Sequence, residues 1–241
     1  MSNRIEIFRT PERHAVGVAD WLTTQMQESH GDFRLVLSGG NTPRLLYEHL
    51  ARRPYVERVP WRRLQIFWGD ERFVPHNDPA SNFGMAMTAF LLAAPVPRNR
   101  VHPIPTDVGT PEEAAARYDA LLHEVRAGDG ANPTRPLFDV VLLGLGADGH
   151  TASLFPESPV LEEQERWAAA VTGQPLPRIT LTLPAISNCR HVAFLVAGAE
   201  KQRAAMEAIG GDRKLPAARV KSEGEVVWFL DREAAEPLYH K

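Results

Sequence analysis

Short apolar runs of strand length alternate along this chain with longer stretches whose apolar residues recur at helical spacing. Residues 33–37 (Phe-Arg-Leu-Val-Leu) predict a strand, followed by a helix from about Pro43 to Arg52. Residues 64–68 predict a second strand, and residues 81–92 a helix with an Asn-rich start. Between 112 and 125, Ala115, Tyr118, Leu121, Leu122 and Val125 fall on one helical face. Residues 138–143 are almost continuously apolar and run into glycines, the mark of a strand buried on both faces. Further strands are predicted at 179–183 and 191–196, the second leading into an Ala-rich helix at 200–209, and residues 226–230 close the set. Strand–helix alternation of this kind predicts an α/β fold: a mostly parallel sheet with helices on both faces. Ligands in such sheets bind beyond the carboxyl ends of the strands, where the strand order reverses. The one obvious linker, residues 127–134, is expected to be a surface loop within a single domain spanning 1–241.

Composition narrows the class. The chain has 241 residues, 44% hydrophobic and 24% charged, which is the profile of a folded protein with a substantial core. With 27 Lys+Arg against 30 Asp+Glu the net charge is -3, so neither nucleic acid nor an anionic membrane is an expected partner. A lone cysteine, Cys189, excludes an intrachain disulfide and fits a reducing compartment. The first residues carry Glu6 inside their apolar stretch and lack a signal-peptide core, and no apolar run has membrane-spanning length. A cytoplasmic protein is expected, either a monomer or a small homo-oligomer.

The candidate chemistry lies just after the strands. In Ser38-Gly39-Gly40-Asn41-Thr42-Pro43, two glycines let the backbone approach a ligand. Thr42 as N-cap and Pro43 as first helical residue would aim free N–H groups at a phosphate. An ordinary capped turn would look the same. The second strand ends in Gly69-Asp70-Glu71-Arg72, three consecutive charges that fit either a ligand site or a solvated loop. The third site is Gly144-Leu145-Gly146-Ala147-Asp148-Gly149-His150, in which Asp148 can orient His150 and leave a neutral imidazole nitrogen to accept a proton. Arg178 and Lys201 open a strand and a helix; each alone could be a surface charge or a phosphate ligand.

Other templates fit poorly. Gly144, Gly146 and Gly149 spell G-x-G-x-x-G, but Pro156 and Pro159 interrupt the helix that a dinucleotide site needs, and Glu162, Glu163 and Glu165 fall before the next strand. No G-x-S-x-G elbow surrounds a serine, and no paired-Cys or His-x-x-x-His metal pattern occurs.

Taken in order, Ser38-Gly39-Gly40-Asn41-Thr42-Pro43, Trp68-Gly69-Asp70-Glu71-Arg72, Ser81-Asn82, the 144–156 loop ending Ala152-Ser153-Leu154-Phe155-Pro156, Arg178-Ile179-Thr180-Leu181-Thr182 and Gly198-x-x-Lys201 resemble the 6-phosphogluconolactonase family. The resemblance spans roughly residues 33 to 203, most of the chain. It implies a Rossmann-like sheet similar to that of glucosamine-6-phosphate deaminase and ribose-5-phosphate isomerase. It also implies hydrolysis of 6-phospho-D-glucono-1,5-lactone to 6-phospho-D-gluconate in the oxidative pentose phosphate pathway, with no metal or organic cofactor. Carried onto this sequence, it makes His150 the base that activates water, with Asp148 beside it and Arg72 near the lactone. Ser38, Gly39, Gly40, Asn41, Thr42, Arg178 and Lys201 would hold the phosphate, and Asp70 would line the pocket. A lactone is an activated ester, so a positioned base and a cation facing the oxyanion suffice. Two rivals share the pocket. A deaminase of the same fold would carry Glu where this chain has Phe155, and a sugar-phosphate sensor would bind without turnover.

Overall fold

The computed structural model describes residues 3–130 and 134–240. Its strands in chain order are β1 (Asn3–Phe8), β2 (Phe33–Leu37), β3 (Leu64–Trp68), β4 (Asp70–Arg72), β5 (Phe138–Leu143), β6 (Ala168–Val171), β7 (Arg178–Leu181), β8 (Cys189–Val196) and β9 (Glu225–Asp231). Six form one parallel sheet in the order β1-β9-β8-β5-β2-β3. Both β2 and β5 are buried at every residue, as a central parallel strand covered on two faces must be. The chain runs from β2 outward to β3 and then returns to place β5 on the other side of β2, so the strand order reverses between β2 and β5.

The strand expected at 179–183 is a correction to the single-sheet picture. It is β7 (Arg178–Leu181), and it pairs antiparallel with β4 and β6 in a separate three-stranded sheet. The helices expected at 43–52 and 112–125 are Asn41–Leu50 and Pro111–Ala127. The helix expected at 81–92 is a short α segment, Asn82–Ala86, that loosens into a π turn at Met87–Leu91. An additional helix, Pro11–Glu28, starts where the Thr10 hydroxyl accepts the Arg13 N–H (3.2 Å) and Pro11 occupies the first turn. It packs against β1, β9 and Asn41–Leu50.

The expected linker is tied down at Asp129; residues 131–133 of that stretch lie outside the described residues. The Asp129 carboxylate takes a two-pronged bond from Arg34 on β2 (2.6 and 2.8 Å), and the two side chains are 6% and 5% exposed. Burial, the largest single effect, raises the Asp129 carboxyl, but the Arg34 bond together with the charges of Arg34, Arg135 and Arg126 holds the group below its ordinary value.

His14 gives the core a pH dependence. It is fully buried, with Nε2 3.0 Å from the Phe229 carbonyl and Nδ1 without a partner. Burial holds its imidazole below the ordinary value, against the opposing pull of Phe229 and Asp231, and burial likewise lowers His102 and His191. The unfolded chain takes up these protons below about pH 6.5 while the fold resists them. Stability is therefore complete above that pH and falls beneath it, by up to about 1.4 kcal/mol per pH unit for the fully buried His14 and by less for the partly exposed His102 and His191. Denaturant unfolding is expected to show a lower midpoint at about pH 5.5 than at about pH 7.5, and His14→Gln should shrink the difference. Equal midpoints at the two pH values would remove His14 from the account.

Candidate active site

The cleft opens where the strand order reverses, at the ends of β2 and β5, with the small antiparallel sheet forming one wall. Ser38, Gly39, Gly40, Asp70, Arg72, His150 and Arg178 line it together, drawn from four separate segments. Its volume, about 190 Å³, lies below the roughly 300–1,000 Å³ of drug-sized sites and suits a small polar ligand better than a dinucleotide.

The turn after β2 differs from its predicted form. Thr42 is not the N-cap: the helix begins at Asn41, and Gly40 caps it with φ 100°, which a residue with a Cβ rarely adopts. The buried Tyr47 hydroxyl donates to the Ser38 carbonyl (2.8 Å) and accepts the Ser38 N–H (3.0 Å), so that N–H is already committed. The first intrahelical bond runs from Arg44 N–H to the Gly40 carbonyl (3.2 Å), which leaves the N–H groups of Asn41 and Thr42 without helical acceptors. Gly39 is required for packing, since a Cβ there would lie 2.0 Å from Asn82 Oδ1. Asn41 and Thr42 themselves do not line the cleft.

Strand periodicity sorts the three charges at 70–72. Asp70, Glu71 and Arg72 pair with Thr180, Ile179 and Arg178, and successive side chains alternate in direction. Asp70 and Arg72 therefore face the cleft, and Glu71 turns away from it. Asp70 is 6% exposed; Oδ2 accepts the Ser153 hydroxyl (2.6 Å) and lies 4.0 Å from Arg178 Nη1, and Oδ1 accepts from Asn82 Nδ2 (3.3 Å). Arg72 donates through Nη1 to the Ala80 carbonyl (2.7 Å). Two guanidinium groups thus stand side by side across β4 and β7, each with a buried Nε lacking a partner. Burial lowers the Arg178 guanidinium; nearby Asp70 raises it and Arg72 lowers it. One carboxylate between two arginines leaves a local positive excess, which fits an anionic ligand.

The loop after β5 carries His150. Its Nδ1 lies 2.6 Å from Asp148 Oδ1, which also accepts the His150 backbone N–H (3.1 Å). A carboxylate only accepts, so Nδ1 bears a proton, and in the neutral ring the lone pair is on Nε2. Burial, the largest single effect, works to raise the Asp148 carboxyl, but the bonds and charge of His150 together with the Asp148 backbone N–H hold the group below its ordinary value. The glycines of this loop serve that pair. A Cβ on Gly146 would sit 2.0 Å from His150 Nδ1 and 2.5 Å from Asp148 Oδ1. Gly149 has φ 82° and packs against Leu215. No helix opens after the G-x-G-x-x-G; Thr151 and Leu154 instead bridge a tight turn in which Ala152 has φ 49°.

Asp148 stands behind the imidazole and outside the cleft lining. Lys201 also does not line it: it ends a turn, Ala199–Lys201, after β8, which is one strand beyond β5 from the reversal point. The structure adds Asn82, Gly144, Leu145, Thr151 and Ala152 to the lining. All five lie in segments the sequence singles out, Asn82 in Ser81-Asn82 and the other four in the 144–156 loop, though none of them is named there as a site residue. Among the described residues, no group of three His, Cys, Asp or Glu side chains is placed to hold a metal ion, and no helix is long and apolar enough to cross a membrane.

The family described as glucosamine-6-phosphate isomerases/6-phosphogluconolactonase matches residues 9–228. The chain belongs to this family. It is 42% identical over 233 residues to a 6-phosphogluconolactonase of Synechocystis sp., covering 94% of this chain and 93% of the relative. To a 6-phosphogluconolactonase of Streptomyces coelicolor it is 38% identical, covering 98% and 94%. Among solved structures, 6-phosphogluconolactonase from Trypanosoma brucei superposes with a TM-score of 0.82 at 31% identity, covering 98% of this chain and 99% of that one. A monomeric glucosamine-6-phosphate deaminase superposes with a TM-score of 0.81 at 21% identity over 97% of this chain and 99% of that one, a likeness of fold. The mostly parallel α/β sheet expected from the sequence is the fold these relatives share.

Proposed function

We propose that this member of the family is a 6-phosphogluconolactonase, hydrolysing 6-phospho-D-glucono-1,5-lactone to 6-phospho-D-gluconate in the oxidative pentose phosphate pathway. The observation that carries this reading is His150, oriented by Asp148 from behind, in one small cleft with the Ser38–Gly40 turn and two arginines. Nε2 of His150 takes a proton from water, and the resulting hydroxide attacks C1 of the lactone. Negative charge builds on the carbonyl oxygen and is stabilised by a guanidinium, Arg72 being the first candidate. The ring oxygen then leaves as the C1–O bond breaks, taking up a proton, and the open-chain acid departs. No protein nucleophile is needed. The phosphate at the far end of the substrate is held by the helix start after Gly40 and by Arg178, which orients the lactone toward His150. Lys201 joins this role only if bound substrate reaches past the cleft lining.

The decisive assay offers the purified protein fresh lactone and, separately, glucosamine 6-phosphate. Acid release above an enzyme-free control, with no ammonia from the amino sugar, is the expected result. Phe155 stands where a deaminase would need a proton-carrying Glu, and a phenyl ring moves no proton. Ammonia release, or sugar-phosphate binding with no turnover of either compound, would overturn the proposal.

A further inference from the structure

Resting on the lactonase reading above, we propose that Phe155 is a positioning residue that holds the His150 imidazole and the Arg178 guanidinium in a fixed relation. The Phe155 ring lies 4.7 Å from the His150 ring, tilted by 37°, and Arg178 Cζ lies 5.4 Å from the same phenyl centroid. No other aromatic ring touches both groups among the described residues. The hydrogen bond to Asp148 and the close approach of Gly146 hold His150 on its Nδ1 side and leave the Nε2 side without a polar partner that sets its tilt. A face packed against a phenyl ring limits that tilt and sets the plane of the lone pair on Nε2. Arg178 is held loosely at its tip, by Ser153 Oγ at 3.4 Å and Asp70 at 4.0 Å, so the phenyl face supplies the constraint that these polar contacts lack.

Phe155 is well placed to act as a fixed wall. Pro156 restricts its backbone to extended conformations, and the Ser158 N–H donates to its carbonyl (3.1 Å), closing a turn in which Glu157 has φ 62°. The same short loop carries Asp148, which orients the imidazole, and Ser153, which bonds Asp70 and Arg178. Base and cation are thereby referred to one loop, although Arg178 itself comes from β7.

The test compares wild type with Phe155→Leu, which keeps apolar bulk and removes the ring, and Phe155→Tyr, which restores it. Phe155→Met replaces the leucine variant if that protein fails to fold. Readouts are kcat and KM on the lactone, corrected for spontaneous hydrolysis, melting temperature, and the proton NMR shift of the His150 ring, assigned by its loss in His150→Gln. The leucine variant is expected to melt near wild type and lose about tenfold to a hundredfold in kcat, the scale of a misplacement of about 1 Å. Its His150 resonance should move downfield as the ring current disappears, and the tyrosine variant should recover both rate and shift. A leucine variant with wild-type kcat and an unmoved His150 resonance would sink the positioning role. A wild type that does not accelerate lactone opening would sink the lactonase reading instead, and the NMR comparison would still decide whether Phe155 sets the imidazole.

Discussion

His150→Ala is expected to fold normally and to lose at least about a hundredfold in lactone hydrolysis, the usual scale for removing a general base. Folding should survive because the side chain is 31% exposed and its polar contact is Asp148, a neighbour in the same loop. The loss should fall on kcat more than on KM, because the groups proposed to hold the phosphate, the helix start after Gly40 and Arg178, are untouched. Some acceleration over water should persist from orientation and from cation stabilisation of the oxyanion. Initial rates of acid release, with an enzyme-free control at each lactone concentration, measure the effect. A rate equal to wild type would take His150 out of the mechanism and leave the arginines to be tested in its place.

Glu71→Ala should unfold the site from behind. Glu71 is 1% exposed, and its carboxylate accepts the N–H groups of Arg72 (2.8 Å), Asn82 (2.7 Å) and Phe83 (2.7 Å) and the Ser81 hydroxyl (3.0 Å). Burial pushes this carboxyl up, and the four donors oppose that. Truncation leaves the donors buried without acceptors, at about 1–3 kcal/mol for each that cannot relax or find water. A net loss of roughly 3–5 kcal/mol is expected, a fall in melting temperature on the order of 10 °C for a chain of this length. Glu71→Gln, whose amide oxygen can still accept, should fall between alanine and wild type. Denaturant unfolding and calorimetry check the ordering; an alanine variant within about 0.5 kcal/mol of wild type would show that water replaces the carboxylate. Because Asn82 lines the cleft and is held by Glu71, the alanine variant should also bind sugar phosphate more weakly.

Much of this architecture is legible before folding, and the omissions have physical causes. β2, β5, β8 and β9 announce themselves because an inner parallel strand is largely apolar and needs no partner to be recognised, and β3, at the sheet edge, does so because four of its five residues are buried. β6 is Ala-Ala-Ala-Val, which has weak strand preference, and becomes a strand by pairing with β7 beneath Pro111–Ala127. β1 is an edge strand with Ile5 and Ile7 each more than a third exposed, and only the pairing with β9 defines it.

The same division runs through the site. Asp148 and His150 lie two residues apart, so their contact is local, and the sequence by itself determined that pair, the glycine turn at 38–40 and the sheet that presents both. Only the tertiary structure decided that β4 crosses to β7. That crossing sets Arg72 beside Arg178, points Asp70 toward the cleft and sends Glu71 to the far side as an internal anchor. Three adjacent charges in a row do not reveal which of them share a face until a strand partner imposes the alternation.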